Sequence, residues 1–212
     1  MNACFIFGAG TNYGLYCRPE AGDYVIAADA GYLTCQKEGI RPDLLIGDFD
    51  SMAEPPDFPN RVRLPVEKDD TDTMMAAKIG LDKGCKVFYI YGGTGGKRLD
   101  HTLSNLQMLL FLDGRGARGY LYDDAFVYTA LCNGSLTIPR GPEWGLLSVF
   151  CFGAPATGVG EEGVQYPLKD AVLTPEFPLG VSNHIVAEEA KITVTQGSLI
   201  VGWELEKAKS FL

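Results

Sequence analysis

Apolar residues fall in short runs along the first half of the chain, at Cys4–Phe7, Tyr24–Ala28, Leu44–Ile46, Val62–Leu64, Val87–Tyr91 and Tyr120–Tyr122. Runs of this length, bounded by turn-forming residues, read as strands. Between them the spacing predicts helices at Tyr32–Lys37, stopped by Gly39, and at Asp72–Lys83, stopped by Gly84. A third helix is predicted at Asp100–Leu112, where Leu103, Leu106, Leu109 and Leu110 recur at helical intervals before Gly114 and Gly116. Alternating strands and helices predict an α/β N-terminal domain with a mainly parallel sheet. Beyond Ala125 the helical period is lost. Ala125–Ala130, Leu136–Ile138, Leu146–Phe152, Ala171–Leu173, Lys191–Thr195 and Leu199–Trp203 are β-rich runs separated by Gly, Pro and Asn. The last two, joined through Gln196-Gly197-Ser198, predict a hairpin with Ile192 and Val194 pointing inward. An all-β C-terminal domain, a sandwich or barrel-like fold, is expected, so the chain divides into residues 1–123 and 124–212.

Composition changes the picture only by exclusion. Of the 212 residues, 46% are hydrophobic and 21% charged, which rules out disorder, collagen and coiled coil. Eighteen lysines and arginines against 27 acids give a net charge of −9, with no basic block to neutralise a run of phosphates. Nucleic acid is therefore not an expected partner. An acidic protein that handles nucleotides needs a cation between its carboxylates and the ligand phosphates. No basic segment precedes Cys4–Phe7, and no apolar stretch approaches the roughly 18 residues of a membrane span, so a soluble, cytoplasmic protein without a membrane partner is expected. The six cysteines are scattered, with no C-x-x-C pair and only His101 and His184 to complete a zinc site. They read as free buried thiols.

Three constellations carry candidate chemistry. Asp48 and Asp50, in Gly47-Asp48-Phe49-Asp50-Ser51, follow a predicted strand; two apart on extended chain, they project to one side and can share Mg²⁺, or they form an Asp-rich turn capped by Ser51. Asp69-Asp70-Thr71-Asp72 opens the second helix, where one carboxylate can cap while the others repel unless a cation lies between them. The run Gly92-Gly93-Thr94-Gly95-Gly96-Lys97-Arg98 joins a strand to the third helix. It reads as a phosphate loop or a flexible turn, and its spacing is not that of a Walker A motif. His101, in the first turn of that helix, reads as the partner of a neighbouring carbonyl or carboxylate rather than as a general base. Gly8-Ala9-Gly10 is a further glycine turn. Asp29 can hold a ribose hydroxyl or cap the first helix. Near the C-terminus, Ser182 and Asn183 pair a donor with an acceptor, and Trp203 offers either a stacking face or a buried core residue.

In this order, Asp29-Ala30-Gly31, Pro42-Asp43, Gly47-Asp48-Phe49-Asp50-Ser51, Asp69-Asp70-Thr71-Asp72, Gly92-Gly93 through Arg98-Leu99-Asp100-His101 with Asn105, and Gly180-Val181-Ser182-Asn183 resemble the thiamine pyrophosphokinases over nearly the whole chain. The resemblance implies transfer of the pyrophosphoryl group of ATP to thiamine, with Mg²⁺ as cofactor and AMP released. It implies catalytic roles for Asp48, Asp50, Asp72 and Arg98, and metal ligation by Asp48, Asp50 and Asp72, with Asp69 and Asp100 in reserve. ATP would meet Asp29, Gly31, Gly92, Gly93, Arg98, Asp100, His101 and Asn105 of the catalytic first domain. Thiamine would meet Ser182, Asn183 and Trp203 of the second domain, across a homodimer interface. The alternatives are a pyrophosphokinase for another heterocyclic alcohol, such as a pterin, and a nucleotide-binding sensor without turnover.

Overall fold

The structure, a computed structural model, describes residues 3–49, 58–63, 69–140 and 145–205. The chain divides into two units, Met1–Asp124 and Ala125–Leu212. The first contains β1 (Cys4–Phe7), β2 (Tyr24–Ala28), α1 (Gly31–Lys37), β3 (Leu44–Gly47), β4 (Arg61–Arg63), α2 (Asp72–Asp82), β5 (Val87–Tyr91), α3 (Leu99–Asp113) and β6 (Arg118–Tyr122). Its strands lie in the order β6-β5-β1-β2-β3-β4, and every neighbouring pair is parallel. β1 and β3 are buried at every position, as expected for strands covered on both faces. Phe5, Phe7, Val25, Ala27 and Leu45 form one of the resulting cores.

The chain steps outward from β1 to β4, then returns to the other side of β1 as β5. That reversal is where open parallel sheets bind ligands, at the carboxyl ends of the strands. The apolar run expected at Val62–Leu64 is instead the exposed edge strand Arg61–Arg63, held by backbone pairing to β3; Leu64 lies outside the described residues. α2 starts where Thr71, in an extended conformation, accepts the Met74 amide on its hydroxyl at 3.2 Å. The cap is thus the threonine between the acids, not one of the carboxylates. None of the described helices is long and apolar enough to cross a membrane.

The second unit is built from β7 (Phe126–Pro139), β8 (Leu146–Cys151), β9 (Ala156–Glu162), β10 (Leu168–Leu173), β11 (Gly180–His184) and β12 (Glu189–Glu204). The expected hairpin at Gln196-Gly197-Ser198 does not form. β12 runs straight through it, paired with β7 from Glu189 to Glu204. Between the pairs Val194–Gly134 and Ser198–Cys132, β12 spends four steps where β7 spends two, so the extra residues bulge instead of turning. The Gly197 amide is bonded to the Asn133 side chain at 2.9 Å, which pins the bulge. On its other edge β12 pairs with β9 as far as Gln196 and with β8 from Leu199 onward. One edge thereby serves two partners, and Leu131, Leu147, Val159, Ile192, Leu199 and Val201 close the core of the unit. Ile192 and Val194 do point inward. The runs at Ala125–Ala130 and Leu136–Ile138 are one strand, whose polar middle conceals the continuity.

Gly197 sits at φ +117°, and a Cβ there would lie 2.7 Å from the Ala156 Cα. Gly197→Ala should therefore destabilise the protein by about 1–3 kcal/mol. Denaturant titration checks this; an unchanged midpoint would contradict the packing described.

Candidate active site

A cleft of about 540 Å³ opens at the carboxyl ends of β1, β2, β3 and β5. Its walls are Gly8–Gly10, Asp29, Asp48, Thr71–Thr73, the run Gly92–Arg98, and the first turns of α3 with His101 and Asn105.

Backbone proximity sets its shape. The Gly8 amide donates to the Tyr91 carbonyl at 2.8 Å, Gly10 to Gly92 at 2.8 Å and Thr11 to Thr94 at 3.1 Å, so the pairing of β1 and β5 continues past the strand ends. A Cβ on Gly8 would lie 2.7 Å from the Gly92 oxygen, and one on Gly92 2.4 Å from the Gly8 oxygen. Only glycine fits at both places. A chain of side chains then fixes the loop against two helices. Buried Asn105 of α3 donates to the Gly93 carbonyl at 2.7 Å and accepts from the Thr73 hydroxyl of α2 at 2.8 Å, and Thr73 lies 3.3 Å from the Thr71 hydroxyl. Thr94 donates to Asp123 at 2.9 Å, tying the loop to the end of β6.

Of the residues singled out from sequence, Asp29, Asp48, Asp72, Gly92, Gly93, Arg98, His101 and Asn105 meet in this cleft. Asp50 lies outside the described residues. The geometric reason for pairing it with Asp48 needs correction, because the chain leaves the extended state at once: Gly47 sits at φ +151° and Phe49, buried, at φ +63°. Asp69 is exposed and does not line the cleft, and Asp70 is held by Lys78 at 2.6 Å. Gly31 packs under β1, where a Cβ would collide with the Phe7 carbonyl, so it is a packing residue away from the cleft walls. Asn105 reaches the cleft, but both of its polar ends hold the scaffold. Arg98 donates through Nε to both Asp100 oxygens, at 2.9 and 3.1 Å. The guanidinium holds the Asp100 carboxyl down at about 2, so this acid orients Arg98. Among the described residues no group of three or more metal-ligating side chains is assembled.

In the second unit, Ser182 is exposed at φ +62°, with its amide on the Ser148 hydroxyl at 3.1 Å. Asn183 is buried, and Trp203 packs half-buried against the core. Thr73, Thr94 and Asp123 were not singled out from sequence. A lone threonine carries no motif; the hydroxyl before a helix at Thr71 was the one legible signal.

Two family models match the chain: the thiamin pyrophosphokinase catalytic domain over residues 19–119, and the thiamin pyrophosphokinase vitamin B1 binding domain over residues 135–199. The thiamine pyrophosphokinase of Bacillus subtilis is 28% identical over 182 residues, covering 83% of this chain and 85% of that protein. A crystal structure of thiamine pyrophosphokinase from the same species superposes with a TM-score of 0.85 at 25% identity, covering 97% of this chain and all of the other. A Geobacillus thermodenitrificans structure agrees in fold, with a TM-score of 0.81 at 24% identity and 97% and 99% coverage.

Asn105→Ala should cost about 1–3 kcal/mol in a denaturant titration, because the Gly93 carbonyl and Thr73 hydroxyl lose a buried partner; an unchanged midpoint would show that the brace is dispensable. The Asp100 carboxyl, lowered in the folded chain, should keep its pair with Arg98 above about pH 4 and lose it as the pH falls through about 2. Carboxyl NMR titration should place its midpoint near 2 and return it toward 4 in Arg98→Ala; a wild-type midpoint near 4 would dissolve the pair.

Proposed function

Because the chain belongs to the thiamin pyrophosphokinase family, we infer that it moves the pyrophosphoryl group of ATP onto the hydroxyethyl oxygen of thiamine, giving thiamine diphosphate and AMP. The observation that carries this reading at residue level is the convergence of Asp29, Asp48 and Asp72 with a glycine loop and two cations, Lys97 and Arg98, in one cleft. The first unit is the catalytic, ATP-binding domain and the second the thiamine-binding domain. ATP lies with its phosphates along Gly92–Gly96 and its ribose toward Asp29. His101 and Asn105 flank the loop.

Asp48 and Asp72, with Asp50 two residues from Asp48, are hard oxygen donors of the kind Mg²⁺ takes, and the ion when bound neutralises phosphate charge. The chain's own groups position the rest. In-line transfer asks for orientation and charge stabilisation more than covalent chemistry. Arg98, exposed and anchored to Asp100, turns its guanidinium to the charge on the transferred group. A cleft carboxylate accepts the hydroxyl proton. Thiamine meets Ser182 on the exposed face of β11. The exposed apolar side chains Tyr166, Phe177 and Leu179 support a homodimer, in which each site draws its thiamine-binding unit from the partner. Six free cysteines suit a reducing cytoplasm.

The test is AMP formation from ATP and Mg²⁺, with and without thiamine. It should depend on thiamine; thiamine-independent release, or inorganic phosphate instead of AMP, would refute the assignment. Asp48→Asn and Asp72→Asn should each lower kcat at least ~100-fold, about 2.7 kcal/mol of barrier, with the fold intact. Near-normal kcat at saturating Mg²⁺ would remove them from the site. Arg98→Lys should lower kcat more than it raises the KM for ATP, since lysine keeps the charge and loses the planar fork. An effect confined to KM would leave Arg98 a ground-state contact.

A further inference from the structure

The second unit holds a cavity of about 300 Å³, walled by Glu161, Tyr166, Leu168, Leu179, Val181 and Asn183. Glu161, on β9, has no exposed surface. Its Oε2 accepts from Asn183 Nδ2 at 2.9 Å, while its Oε1 has no hydrogen-bond partner among the described residues. Oε1 lies over Gly180, another cavity residue, 3.1 Å from where a Cβ would stand. Asn183 has nothing left to offer a ligand. Its Nδ2 also donates to the Tyr166 carbonyl at 2.9 Å, and its Oδ1 accepts the amides of Tyr166 at 3.1 Å and His184 at 2.9 Å. Asn183, expected to touch thiamine, is therefore a positioning residue that holds a carboxyl in place.

What remains is one open acceptor at the floor of a small cavity with mostly apolar and aromatic walls. Leaving such an oxygen without a partner is unfavourable, and burial already pushes the Glu161 carboxyl above the usual carboxylate range. The complementary ligand is a flat ring that fills the apolar space and presents an N–H donor at one edge. Both substrates in the reading above, on which this inference rests, carry an exocyclic amine on a flat ring; that reading sets ATP against the first unit, which leaves the pyrimidine ring of thiamine for a cavity of the second. The thiazolium ring carries charge but no N–H. We propose that Glu161 is a specificity-determining residue that reads the amine edge of the thiamine pyrimidine ring.

The test compares wild type and Glu161→Gln on thiamine and on oxythiamine, the analogue with oxygen in place of the exocyclic amine, by AMP formation. Glutamine keeps the bond to Asn183 and puts an N–H donor where Oε1 stood. The KM for thiamine should rise at least tenfold with the KM for ATP unchanged, and the preference for thiamine over oxythiamine should shrink or reverse. A merely structural role would not invert the preference. An unaltered thiamine KM and preference in Glu161→Gln would overturn the proposal. Should that variant not fold, wild type decides alone: at least a tenfold preference for thiamine supports the proposal, and equal use of both compounds overturns it. Wild type that releases no AMP with thiamine would instead sink the underlying function, a different result from an active enzyme indifferent to the amine.

Discussion

Where β1 and β5 leave the sheet, their backbones stay so close that each occupies the space a side chain on the other would need. The Gly8 and Gly92 carbonyls lie 2.7 Å or less from the opposing virtual Cβ positions, and three amide-to-carbonyl bonds lock the two loops together. This contact sits at the point where the strand order reverses, so it fixes the floor of the cleft. The Asn105–Thr73 bond then sets the starts of α2 and α3 against that floor. Asp72 and Arg98 come to one cleft because the helices that carry them are tied to a single loop.

Electrostatics follow from this frame. A chain of net charge −9 that takes a polyanion must keep its acids from meeting the phosphates bare. Asp70 is neutralised by Lys78, and Asp100 by Arg98. Among the described residues, Asp29, Asp48 and Asp72 are the carboxylates that face the cleft beside Lys97. The second unit solves another problem with one acid. There Glu161 is buried, anchored by Asn183 and left with a single oxygen toward a small cavity. The first arrangement suits a highly charged ligand and the second a ring with one polar edge.

Much of the first unit was legible because its signals are local. β1, β2 and β5 coincide with their apolar runs, and the end of α2 with a glycine. The acids and the glycine loop were found as clusters for the same reason. Non-local pairing was not legible. Gln196-Gly197-Ser198 has the composition of a turn, and only the unbroken partner strand β7 makes it a bulge. β9 and β11 were missed because Gly158, Gly160 and Gly180 dilute their pattern. Asp100 and Asn105 were read as ligand contacts from their motif alone; that Asp100 holds Arg98 and Asn105 holds Gly93 could be seen only in the geometry. Glu161 carries no motif, and its meaning rests on burial and on one unpartnered oxygen.

The central claim is that this cleft transfers two phosphorus atoms of ATP as one unit. Following the label from ATP carrying ³²P at the β position, and separately at the γ position, tests it most directly. The account predicts both labels in thiamine diphosphate in equal yield, with AMP unlabelled. Transfer of the γ label alone, with ADP as the nucleotide product, would contradict it.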